Sequence, residues 1–237
     1  MASTNSIVYL IPSLLSEQAT ETIPPYVINA IKNCQVFFVE NERSARRYLK
    51  SIWKEIVIDN YKWVGLEKAE ETVVAQFKSH LKEGAHIGII SEAGCPGIAD
   101  PGQSLISIAH ETGAQVKPLV GPSSILLALM ASGMNGQQFQ FLGYLPIDAN
   151  KRLQAIKDIE AASARKNCTQ VFIETPYRNN QLLEAIIKSC RPDTRLCIAA
   201  NLTAANESVH TKMIREWKQA LPDLHKQPVI FCLLASF

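Results

Sequence analysis

Four carboxylates stand at positions where a proton could be taken from a substrate: Glu40 in "VFFVENER", Glu92 and Asp100 in "SEAGCPGIADPG", and Glu174 in "FIETPYR". Each comes just after a short apolar run, which places it at the mouth of a strand. Two have an arginine close behind them, Arg43 after Glu40 and Arg178 after Glu174. A carboxylate so placed serves as a base when it lies within hydrogen-bond reach of the proton and its surroundings tune its pKa. The plain alternative is helix capping or ion pairing, and it is strongest for Glu92. Glu40 with Arg43, and Glu174 with Arg178, are the pairs expected at a substrate site.

The stretch "SEAGCPGIADPG" packs three glycines and two prolines between the apolar "GAHIGII" and the helix-like "QSLISIAHETGA". Glycine permits positive φ and close backbone approach, and proline stiffens the path. A loop this long between buried elements points to function, and its composition is too constrained for disorder. A polyphosphate cradle does not fit. Neither G-x-G-x-x-G nor G-x-x-x-x-G-K-[ST] occurs, and Glu92 and Asp100 would repel the ligand. Carboxylates and carbonyls suit a cation, or a ligand rich in hydroxyl and amino donors, such as a nucleoside or a sulfonium.

The elements that hold these loops alternate. Strands are expected at 6–11, 36–40, 55–60, 86–90 and 114–120, with helices over 26–34, 44–53, 67–84 and 103–114 between them. Such alternation implies right-handed crossovers and a mainly parallel sheet covered on both faces. Ligands bind outside the carboxyl ends of such strands. The second half reads as helix 123–134, strand 139–146, helix 150–167, strand 169–175, helix 179–190 and strands 195–203 and 228–237. Residues 207–221 mix strand and helix signals. The fold class is α/β, as two α/β domains: 1–120 with a mainly parallel sheet, and 121–237 with a mixed sheet.

Composition sets the broad class. The 237 residues are 47% hydrophobic and 19% charged with a net charge of +2, as in a soluble globular protein with a substantial core. Six cysteines include no C-x-x-C pair, and the five histidines lack ligand spacing, so no disulfide framework and no metal is expected. No run spans a bilayer and no basic region precedes the first apolar run, so a cytoplasmic location is expected. One charge cluster stands out. "RSARRYLKSIWK" carries five basic residues and no acidic one, with Arg46, Arg47 and Lys50 near one helix face. It reads equally as a solvated face or as an RNA-phosphate patch, with Tyr48 and Trp53 as possible stacking rings and a core position the stronger reading for Trp53.

In order along the chain, "SEAGCPGIADPG", "VKPLVGPSSILLALMASG", "FLGYLP" and "IETPYR" resemble segments of the bacterial small-subunit rRNA (cytidine-2′-O-)-methyltransferase family. That family lies within the tetrapyrrole-methylase, or class III, S-adenosylmethionine-dependent methyltransferases. The resemblance covers essentially the whole chain. It implies a two-domain α/β fold, a homodimer, and S-adenosylmethionine in the cleft between the domains. The cofactor-binding residues it implies are Pro12, Glu92, Ala93, Gly94, Pro96, Ile98, Ala99, Asp100 and Pro101 in the first half. In the second they are Ser123, Ser124, Phe172, Ile173, Pro228 and Val229, the last two closing over the adenine.

The chain departs from the family pattern in places. No glycine follows the first strand, "ENER" stands for E-D-T-R, Glu92 for an aspartate, Tyr177 for a histidine, and "NLTAANE" for E-L-T-K-x-x-E. Methyl transfer to a hydroxyl needs in-line approach and a base. Glu40, Arg43, Glu174 and Arg178 are the candidate catalytic residues, and Arg46, Arg47 and Lys50 the RNA-binding ones. The expected activity is ribosomal RNA ribose 2′-O-methylation. The alternatives are a class III enzyme acting on a small molecule or tetrapyrrole, and a non-catalytic cofactor- or RNA-binding paralogue.

Overall fold

Short β-branched and aromatic runs form the first sheet. β1 (Ile7–Ile11), β2 (Val36–Val39), β3 (Lys62–Gly65), β4 (Ile87–Ile90) and β5 (Gln115–Pro118) lie in the order β3-β2-β4-β1-β5, all parallel. The coordinates are a computed structural model describing residues 6–67, 69–100 and 102–236. The chain divides into two units, Met1–Ser123 and Ser124–Phe237. β2 and β4 are buried at every position, as strands covered on both faces must be. Alternation then sorts the core. Phe37 and Val39 face α1 (Tyr26–Asn33) and α2 (Glu42–Ile52), whereas Val36 and Phe38 face α3 (Glu70–Lys82) and α4 (Gln103–Glu111).

The third strand begins later than its composition suggests. Residues 55–60 hold only one buried side chain, Ile56, and end in a 3-10 turn at Ile58–Asn60. Val57 is 55% exposed. The strand starts at Lys62, paired with Val36. There the rings of Tyr61 and Trp63 lie 5.1 and 5.0 Å from that of Phe37. Burial of two aromatic rings outweighs the β-propensity of "EIVI".

In the second unit β6 (Phe139–Tyr144), β7 (Thr169–Ile173), β8 (Arg195–Ala200), β9 (Ser208–Met213) and β10 (Val229–Leu234) lie in the order β6-β7-β10-β8-β9. Only β6 and β7 run parallel; the other neighbours are antiparallel, so the sheet is mixed as expected. The central β10 is wholly buried, and Phe231 stacks on Phe172 with centroids 5.7 Å apart. Helices α5 (Ser124–Ser132), α6 (Ala149–Lys166) and α7 (Asn179–Ser189) complete the unit. The ambiguous segment resolves into β9 and the one-turn α8 (Ile214–Trp217). All six cysteines are free thiols. Among the described residues no helix is long and apolar enough to cross a membrane.

Candidate functional site

At the carboxyl edge of the first sheet, two loops are sewn together. Ser13 and Gly94 form an antiparallel bridge, with Ser13 N–H to Gly94 O at 2.7 Å and Gly94 N–H to Ser13 O at 3.2 Å. The Ser13 hydroxyl also donates to Ser91 O at 2.7 Å. Gly94 makes this bridge at φ 76°, a left-handed conformation that glycine adopts without strain. Further along, Asp100 Oδ1 accepts from Gly97 N–H and Gly102 N–H, both at 2.8 Å. Asp100 thus folds the loop on itself. The Cys95 thiol donates to Pro122 O, just past β5, at 3.5 Å, and burial raises its pKa. Gly121 packs so closely on the Pro12 ring that a Cβ there would overlap it.

Helix α2 anchors both loops. Asn41 caps it, accepting from Arg43 N–H at 3.0 Å and Ser44 N–H at 3.1 Å. From its first turn Ser44 donates to Glu92 Oε1 at 2.5 Å, and from its second Tyr48 donates to Pro12 O at 2.5 Å. Glu40 accepts from Glu92 N–H at 3.0 Å. Burial raises the Glu40 carboxyl above its ordinary pKa; that hydrogen bond opposes the rise, and the charges of Asp100 and Glu92 add to it. Glu40, Glu92 and Ser44 are thereby gathered at one strand end. A cavity of about 400 Å³ opens beside them, bounded by Ser13, Leu15, Ser44, Arg47, Tyr48 and Glu92.

The Tyr48 expectation needs correction, and the surroundings of Glu40, Arg43 and the basic side chains are more specific than their spacing shows. Glu40 and Arg43 form no ion pair; the Asn41 cap leaves Arg43 exposed, while the Glu40 carboxylate turns to the Glu92 amide. Tyr48 does not offer its ring for stacking, because it packs on the α1–α2 core with its hydroxyl engaged at Pro12. The basic side chains of α2 are not equivalent. Arg46 pairs with Glu42 and lies over the Trp63 ring at 5.2 Å. Arg47, 67% exposed, meets Glu17 at 2.7 Å, and Lys50 Nζ caps Lys54 O at 3.2 Å.

Of the residues proposed for the cofactor in the first unit, Glu92, Ala93, Ile98 and Ala99 are exposed, whereas Pro12, Gly94 and Pro96 are buried and offer backbone. Ala99 is left-handed at φ 61°. Pro101 lies outside the described residues. The hydroxyl of Ser91 and Oδ2 of Asp100 are shielded from water and have no partner. Orphaned polar atoms are rare in a folded interior and suit a ligand that brings hydrogen-bond donors and acceptors. Sequence reasoning missed Ser13, Ser44 and Ser91. Their signal is position alone: each sits one to five residues past the end of an apolar strand.

In the second unit Glu174 and Arg178 form an ion pair, the plain alternative to a substrate-site role. Glu174, 5% exposed, accepts at Oε1 from Arg178 Nε at 3.0 Å, from its terminal nitrogen at 2.6 Å, and from Thr175 N–H at 2.7 Å. Its Oε2 is buried without a partner. Phe172 and Val229 are buried in the core, Ile173 pairs with Ile230, and Pro228 is exposed. Ser123 and Ser124, at the start of α5, are half-buried. In "NLTAANE" the Thr203 N–H donates to Glu207 at 2.6 Å, and Asn201 binds Gln227 at 2.6 Å, so that turn is closed internally.

Residues 18–217 match the family model described as Tetrapyrrole (Corrin/Porphyrin) Methylases. The chain belongs to this family. Among curated tetrapyrrole-methylase relatives, a protein named Ribosomal RNA small subunit methyltransferase I from Mesorhizobium japonicum is 32% identical over 155 residues, 65% of this chain and 51% of that one. Proteins of the same name from Escherichia coli O157:H7 and Micromonospora olivasterospora are 33% and 29% identical, over 63% and 84% of this chain and 50% and 60% of theirs. The chain spans about half the length of the first two relatives. Among solved structures, diphthine synthase aligns with a TM-score of 0.65 at 14% identity, covering 97% of this chain and 90% of that one. The methyltransferase CobJ aligns with a TM-score of 0.64 at 15% identity, covering 97% and 93%. These two share the fold.

Proposed function

We propose that this tetrapyrrole-methylase-family chain is an S-adenosylmethionine-dependent methyltransferase acting on ribosomal RNA of the small subunit, at a ribose 2′-hydroxyl. The observation that carries the reading is the run of relatives, 29–33% identical, that share one ribosomal RNA methyltransferase name. The first sheet's loops supply a chemical fit. Stapled backbone, the exposed Glu92 carboxylate and the orphaned Ser91 and Asp100 atoms suit a nucleoside bearing a cationic sulfur. S-adenosylmethionine supplies an electrophilic methyl group on that sulfur. The residues that the resemblance assigns to it are Pro12, Glu92, Ala93, Gly94, Pro96, Ile98, Ala99, Asp100 and Pro101 in the first half, and Ser123, Ser124, Phe172, Ile173, Pro228 and Val229 in the second. Phe172 and Val229 contribute through backbone because their side chains are in the core.

Of the carboxylates, Glu40 is the best placed to take the hydroxyl proton, since burial and its acidic neighbours increase its proton affinity. Glu174 fixes Arg178, whose guanidinium then offers its remaining N–H groups to a phosphate or ribose oxygen. Arg43, freed of Glu40, joins Arg47 and Lys50 as a phosphate contact. On this reading a ribosomal substrate accords with a cytoplasmic location. Association as a homodimer accords with the exposed Leu126 and Met130 of α5, and sedimentation of the purified chain checks it.

Calorimetry with S-adenosylmethionine should show binding to the folded protein, and its absence sinks the cofactor assignment. Tritiated-methyl transfer should then label 16S-type RNA in unmodified small subunits. Binding without counts in any macromolecule would favour a small-molecule substrate.

A further inference from the structure

Tyr177 leaves 69% of its surface to solvent, the most exposed aromatic ring among the described residues. It is not a loose side chain. His225 meets it edge-on, with centroids 5.8 Å apart and planes at 75°, and Lys226 Nζ lies 6.0 Å from its centroid. Those two neighbours come from the loop before β10, which is tied down on several sides. Lys226, left-handed at φ 59°, donates its N–H to Pro176 O at 3.0 Å. Asn180 holds Asp223 and the Leu224 N–H, both at 2.8 Å, and Asn179 Nδ2 donates to Gln227 O at 2.7 Å. The ring and its basic flank therefore sit on a fixed frame, so little conformational freedom is lost when a flat ligand settles on them. Asp223 is the acid nearby, and its carboxylate is engaged by Asn180 and the His225 N–H.

We propose that Tyr177, braced by His225 and Lys226, is a stacking platform for an unpaired nucleobase of the RNA substrate, with Lys226 beside the adjoining phosphate. This rests on the RNA reading above. A ring this open cannot wall an enclosing pocket of the kind that small ligands need. Its exposed ring surface can receive a base, as such rings do in single-stranded RNA.

The test uses unmodified small ribosomal subunits and tritiated S-adenosylmethionine. Tyr177→Ala should raise KM for the subunits about tenfold, in line with the loss of one base–aromatic stack. It should leave S-adenosylmethionine affinity unchanged. Tyr177→Trp should restore the KM, and ultraviolet crosslinks from wild-type protein to the RNA should map to the peptide containing Tyr177. An unchanged KM in Tyr177→Ala, no rescue by tryptophan, or a loss of cofactor binding overturns the platform. If the wild-type protein labels no RNA at all, the RNA reading falls first and takes the platform with it.

Discussion

At the scale of single residues, the two candidate carboxylates behave differently because their partners differ. Glu40 gives up solvent and gains one amide donor, and its pKa rises. A raised folded-state pKa means that its ionisation costs stability: the contribution is fully present below the ordinary carboxylate pKa and is lost as pH rises through the raised value. Glu40→Gln keeps an acceptor for the Glu92 amide but cannot ionise. Thermal unfolding should show it more stable than wild type at neutral pH, with the gap closing in acid; a gap that persists in acid contradicts the assignment. The same variant should lower kcat. Glu174 differs in its partner: its buried carboxylate is bonded to Arg178, which is 27% exposed. Removing the arginine strands the charge, at a cost of about 3–5 kcal/mol. Urea unfolding should therefore find Arg178→Ala clearly less stable than Glu174→Gln, because the freed arginine in the latter can hydrate.

At the scale of elements, the site depends on how strand ends meet, and Gly121 tests that. An alanine there meets the Pro12 ring, and such overpacking costs about 1–3 kcal/mol. The shift falls on the wall formed by Pro12, Ser13 and Gly94, so Gly121→Ala should weaken S-adenosylmethionine binding in calorimetry while the protein still unfolds cooperatively. Unaltered affinity would remove this junction from the cofactor site. Much of this architecture was legible beforehand. The alternation of apolar runs and helical spacing placed four of the five first-sheet strands, and glycine with proline marked the loop that carries Asp100. Two things were not legible. The β3 strand is set by Tyr61 and Trp63 finding Phe37, a contact made across the chain rather than within the window that suggested residues 55–60. The Glu40–Arg43 spacing also allowed a pair, but the Asn41 cap and the Glu92 amide compete for its members. Local sequence lists possible partners, and packing chooses among them.

At the scale of the whole molecule, a net charge of +2 is too small to draw RNA by itself. Affinity for a polyanion must come from a local cluster. Along α2, Arg43, Arg47 and Lys50 recur at i, i+4 and i+7, with Lys54 just beyond the helix end, and all four are exposed. Arg46 differs, since Glu42 and the Trp63 ring already occupy its guanidinium. Arg47 has only Glu17, in a pair whose side chains are 67% and 80% exposed, and such pairs break at little cost. Each cation that contacts a phosphate adds about 0.7–0.9 to the slope of log affinity against log salt. Neutralising Arg47 and Lys50 together, as Arg47→Gln with Lys50→Gln, should flatten that slope by roughly 1.5 in filter-binding titrations with small-subunit RNA. Arg46→Gln should leave the slope in place and instead lower thermal stability, because it removes a helical ion pair and a cation–π contact. If Arg46→Gln flattens the slope and the double variant does not, the phosphate contacts lie on the other side of the helix.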